Sequence, residues 1–122
     1  MALRWTALDP GRTADAVLLL NQAEDWADFQ AAARLFESPA QNMIYADTSG
    51  TIGYQAPGRI PVRATGDGRW PAPGWDPAYT WESYIPFEAL PSVTDPDDGF
   101  IVTANAAVID TRTYPYFLTD DW

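Results

Sequence analysis

The chain has 122 residues, a formal net charge of -10, no histidine and no cysteine, and all 7 of its basic residues are arginines. This composition excludes a thiol nucleophile, a disulfide framework, a Ser-His-Asp triad and any zinc site built on thiolate or imidazole. It also lacks the basic stripe that nucleic acid requires and any apolar run long enough to span a membrane, and no signal peptide is present, so the length bounds one domain or a piece of one.

In chain order, Thr13 is placed to cap a short helix over residues 14–20. A second helix opens at Asp25, with Asp28 in its first turn and Trp26, Phe29, Ala33 and Phe36 near helical spacing; that aromatic stripe reads as a core face, and Ser38-Pro39 closes the helix. Residues 42–47 and 51–55 flank the turn sequence Asp47-Thr48-Ser49-Gly50 and predict a β-hairpin. Between residues 56 and 77 proline and glycine are dense, which predicts a long loop without regular structure. Trp70, Trp75, Tyr79, Trp81 and Tyr84 fall in and just after it. Such rings either fill gaps over a core or, in an alternative reading, form a platform for carbohydrate or peptide. Residues 85–91 re-enter the core, Asp95-Pro96-Asp97-Asp98-Gly99 reads as a turn, and residues 100–104 predict the last strand. The fold class is therefore α+β, with helices over residues 13–37 against strands in 42–55 and 100–104.

The last strand ends on Asn105, in Phe100-Ile101-Val102-Thr103-Ala104-Asn105-Ala106. A carboxamide at a strand terminus commonly forms a turn, but its N–H groups can also receive the negative charge that gathers on a carbonyl oxygen under attack. Removing one such donor costs about 2.7–4 kcal/mol of transition-state stabilisation. The serines do not suggest a local nucleophile: Ser38 precedes a proline, Ser49 lies in the predicted turn, and neither Ser83 nor Ser92 sits in a G-x-S-x-G pattern.

Read together, the blocks Asn42-Met43-Ile44-Tyr45-Ala46-Asp47, Gly50-Thr51-Ile52-Gly53-Tyr54, Gly58-Arg59-Ile60-Pro61-Val62-Arg63, Pro73-Gly74-Trp75, Ile85-Pro86-Phe87-Glu88 and the run into Asn105 occur in the order found in one family. The chain resembles the β-subunit of the penicillin acylase (penicillin amidase) family along nearly all its length. The resemblance implies that it is an internal segment of a longer enzyme, contributing to the αββα four-layer sandwich of an N-terminal nucleophile hydrolase. In that family a serine at the start of the β-subunit attacks an amide carbonyl with its own α-amino group as base. Such an amine has an ordinary pKa of about 7.7–8.0 and needs no histidine. Met1-Ala2 offers no such nucleophile, so the chain alone is expected to be inactive.

The resemblance assigns Asn105 to the oxyanion hole, where it pairs with a backbone N–H from a segment outside the chain, and Gln41 to the lining of the acyl pocket. Ala106 stands where the family usually has a second asparagine, which puts the local support of Asn105 in question. Gln41 stands where an apolar residue is common, which makes the pocket more polar or larger and leaves open amides other than penicillin G, such as acyl-homoserine lactones or lipopeptide side chains; in an alternative reading the glutamine only finishes the helix-to-strand connection. No metal or other cofactor is expected within the chain; the resemblance allows calcium in the full-length enzyme. The partners implied are the remainder of the α/β acylase heterodimer, a small-molecule amide substrate and, through open sheet edges, further copies of the chain. Nucleic acid and membrane are not expected as partners, and the parent enzyme is expected in the periplasm or outside the cell.

Overall fold

The computed structural model describes residues 1–104 and 106–119. Among them are two α-helices, α1 (Thr13–Leu20) and α2 (Trp26–Ala33), and five short strands: β1 (Met43–Ala46), β2 (Ile52–Gln55), β3 (Pro61–Arg63), β4 (Trp81–Tyr84) and β5 (Ser92–Thr94). The architecture is mixed α/β: the helices pack on each other, and α2 lies on an antiparallel sheet of order β1-β2-β5. A second, two-stranded sheet joins β3 to β4.

Helix α2 starts as the sequence predicts. The Asp25 carboxylate accepts the Asp28 N–H at 2.8 Å, and the Asp28 carboxylate in turn accepts the Glu24 N–H at 3.3 Å. One donor left free by the first turn, and one just ahead of the cap, are thereby satisfied. Helix α1 behaves differently. Thr13 is its first helical residue and caps nothing; its Oγ1 accepts N–H bonds from Glu37 and Ser38 at 3.2 and 3.3 Å and donates to the Ser38 carbonyl at 3.2 Å. The cap comes from across the fold, where the Glu37 carboxylate accepts the Arg12 N–H at 3.0 Å. A carboxylate suits the positive end of a helix, so the start of α1 is tied to the segment that leaves α2. Ala16, Ala32 and Ala33 are fully buried, and their small side chains let the two helices approach closely.

The aromatic stripe of α2 packs on the sheet as expected. Trp26 and Phe29 stack at 5.3 Å between ring centres, and both lean on Tyr45 of β1, at 5.5 and 5.3 Å. Tyr45 pairs across the ladder with Gly53, and a Cβ at Gly53 would lie 2.5 Å from the Trp26 ring. Glycine is therefore needed at that position to admit the indole. Beside it, buried Gln55 accepts the Gln30 side-chain amide at 3.3 Å, joining helix to strand through a polar contact.

The hairpin turn is held by Asp47, whose Oδ1 accepts the N–H groups of Ser49 and Thr51 at 2.8 and 3.1 Å, while Gly50 takes a φ of +97°. Side-chain acceptance two residues on is the mechanism by which aspartate favours turns.

Three expectations are corrected. Helix α2 ends at Ala33, ahead of Ser38-Pro39, where the N–H groups of Leu35 and Phe36 turn back to the carbonyls of Ala32 and Ala33. Residues 56–77 are not wholly irregular: Pro61–Arg63 forms β3 and pairs with β4, with a register irregularity between Val62 and Arg63. Proline is tolerated because it opens the strand. Residues 100–104 form no strand; Phe100 and Val102 are 63% and 62% exposed. The strand beside β2 is β5, upstream of the Asp95 turn, where Gly53 faces Thr94 and Gln55 faces Ser92. Ladder hydrogen bonds come from the backbone, so a short polar Ser-Val-Thr segment in register takes the position ahead of a more apolar one. A single helical layer over a sheet is visible within the chain.

Candidate functional site

Of the two residues singled out by sequence, Asn105 lies outside the described residues. Its neighbours are exposed at Ala104 and Ala106 and half-buried at Thr103. Gln41 is exposed on the connection between α2 and β1. Its place is fixed from the backbone, because its N–H donates to the carbonyl of fully buried Pro57 at 3.2 Å. On one side of it the Arg59 N–H donates to the Glu37 carbonyl at 2.7 Å; on the other, the Tyr54 hydroxyl donates to the Asn42 side chain at 2.6 Å. Tyr54 is 4% exposed, and burial pushes its pKa up to about 12. It thus stays protonated as a donor at any physiological pH. The backbone around Gln41 is pinned at three points.

The four serines take structural positions. Ser38 Oγ is buried without a hydrogen-bond partner, Ser83 is exposed on β4, and Ser92 Oγ accepts the Gln30 amide at 3.5 Å. Ser49 Oγ donates to Asp47 at 2.6 Å, a pairing that superficially resembles a nucleophile with its base. Hydrogen bonds from Ser49, then Tyr45, hold the Asp47 pKa below its ordinary value, which makes it a poor proton acceptor.

The tryptophans do not form one platform. Trp70 and Trp75 are 78% and 89% exposed, whereas Trp81 is half-buried, with the Arg4 guanidinium 4.2 Å above its ring and Tyr84 edge-on at 6.3 Å. Nor do the acidic residues converge on a cation: among the described residues no group of three or more Asp or Glu side chains could hold a metal. Asp95, at a φ of +44°, uses its carboxylate to accept the Ile52 N–H at 2.8 Å and so closes the end of β2.

Sequence reasoning missed a cleft of about 170 Å³ between the exit of α2 and the segment after β4. Its walls include Phe36, Arg59, Tyr84, Ile85 and Leu90. These residues are far apart in sequence and carry no local motif, so only tertiary packing brings them together.

A family model described as penicillin amidase matches residues 1–122, the whole chain. The chain belongs to the penicillin amidase family. Among its relatives, the acyl-homoserine lactone acylase QuiP of Pseudomonas fluorescens (strain Pf-5) is 38% identical over 122 residues, covering 100% of this chain and 15% of that protein. Penicillin acylase 2 proenzyme of Pseudomonas sp. (strain SE83) is 40% identical over 79 residues, 65% of this chain and 10% of the relative. The thermostable penicillin G acylase of Alcaligenes faecalis shares the fold at a TM-score of 0.74, with 31% identity over 89% of this chain and 20% of that one. The chain thus spans about 15% of the length of the first-ranked relatives. Penicillin amidase relatives named as acylases make this a family of amide hydrolases. Among the described residues no helix is long and apolar enough to cross a membrane.

Proposed function

We propose that these 122 residues form part of an acylase that hydrolyses an amide by an N-terminal serine mechanism, with Asn105 as an oxyanion-hole donor and Gln41 in the wall of the acyl pocket. The serine, its α-amino group and the second oxyanion donor come from polypeptide outside the chain, as do the remaining layers of a four-layer sandwich. In the first step the amine takes the hydroxyl proton, the serine oxygen bonds to the amide carbon, and the carbonyl electrons move onto oxygen. Asn105 donates an N–H to that oxygen. Collapse expels the amine product with a proton returned to it, and water then releases the acyl group as a carboxylic acid. Glutamine at position 41 makes the acyl pocket more polar or larger, which weakens the case for penicillin G and leaves other amides open, such as acyl-homoserine lactones or lipopeptide side chains. The chain alone lacks turnover, and the complete enzyme works in the periplasm or outside the cell.

The observation that carries this reading is the family match along every residue of the chain. In an enzyme containing this segment, Asn105→Ala is expected to lower kcat on an amide substrate by on the order of a hundredfold, with a smaller change in KM. Unchanged kcat would remove the role given to Asn105.

A further inference from the structure

The cleft behind α2 joins an apolar floor to an incompletely paired cation. Phe36, Ile85 and Leu90 form part of its lining, and Arg34, Arg59 and one carboxylate, Glu37, stand at it. The two arginines differ. Arg34 is held by Glu88 and lies over the Phe87 ring. Arg59 lies 4.5 Å above Tyr84 with 29% of its side chain exposed, and its nearest carboxylate, Glu37, is 4.0 Å away. The same Glu37 oxygen already accepts the Arg12 N–H at 3.0 Å. A guanidinium has five N–H donors in a planar fork that matches a carboxylate. One ion pair at 4.0 Å leaves that fork open to a better acceptor. The space is small: an apolar cavity of about 150 Å³ takes one benzene ring, and this cleft has about 170 Å³.

We propose that this cleft binds a small monocarboxylate bearing one apolar ring or a short alkyl chain, with the Arg59 guanidinium holding the carboxylate and Phe36, Ile85 and Leu90 receiving the tail. Arylated or aliphatic carboxylates fit better than phosphate, which has no tail to cover the floor. In about 0.1 M salt charges beyond roughly 10 Å are screened, so the opposing charge that counts is the Glu37 carboxylate in the cleft wall, 4.0 Å from Arg59, and the ligand must take the guanidinium from it. The site uses neither Asn105 nor Gln41, so it stands or falls separately from the acylase reading.

Benzoate titrated into the 122-residue chain in about 0.1 M salt, followed by amide NMR, tests the site against benzamide, which has nearly the same shape without the charge. Saturable shifts centred on Gly58, Arg59 and Leu90 are expected, with a dissociation constant on the order of 1 mM. Benzamide should bind about tenfold more weakly, and Arg59→Gln should reduce benzoate affinity to that of benzamide. Equal binding of the two compounds, shifts scattered over the surface, or full affinity in Arg59→Gln would each overturn the proposal. A chain without a dispersed amide spectrum has no such cleft and would overturn it too.

Discussion

Residues 13–55 and residues 64–80 both carry tryptophan and other apolar side chains, yet they meet opposite fates. In the first region Trp26 stacks on Phe29 and enters a slot made by the missing side chain of Gly53. In the second, Trp70 and Trp75 stand in solvent. Apolar character alone therefore does not decide burial here; Trp26 and Phe29 are half-buried because the same chain supplies a surface of matching shape. The helix-hairpin region supplies one through a regular ladder, an Asp25 cap and a small residue in register. The proline- and glycine-rich loop supplies none.

The contrast is sharpest at Trp26. Trp26→Ala is expected to destabilise the chain by about 3 kcal/mol, read as a lower urea midpoint with the slope unchanged; a loss under about 1 kcal/mol would mean that the slot does not hold the indole. Next comes the cap. Asp25→Ala should cost about 1 kcal/mol in the same assay, and Asp25→Asn should recover most of it, because either side chain can accept the Asp28 N–H. At the other end of the scale, Trp75→Ala should move stability by no more than about 0.5 kcal/mol. A larger loss would show the loop to be packed in solution and erase the difference between the regions.

The sequence disclosed the features whose causes are local. Asp47-Thr48-Ser49-Gly50 between alternating residues gave away the hairpin, because the Asp47 carboxylate completes the turn within four residues. Asp25 was readable for the same reason. Thr13 misled, since its hydroxyl had a choice of partners and took the backbone of residues 37 and 38, some 24 positions away. The pairing of β3 with β4 was hidden by the long loop between them, and β5 by a polar composition that backbone pairing disregards. At the candidate site, the role proposed for Gln41 rests only on the ordered blocks that carry the family resemblance. The Tyr54 to Asn42 bond and the Pro57 carbonyl that fix its neighbourhood follow from β2 running back beside β1, which no single motif announces.

The slot beneath Trp26 also restricts how the chain can change over time. Any side chain at position 53 collides with the indole, so an enlarged residue there demands a trimmed one at position 26 in the same step. Two sites 27 places apart are thereby coupled as a single heritable unit, and relatives that depart from glycine at the one should be found to have surrendered tryptophan at the other.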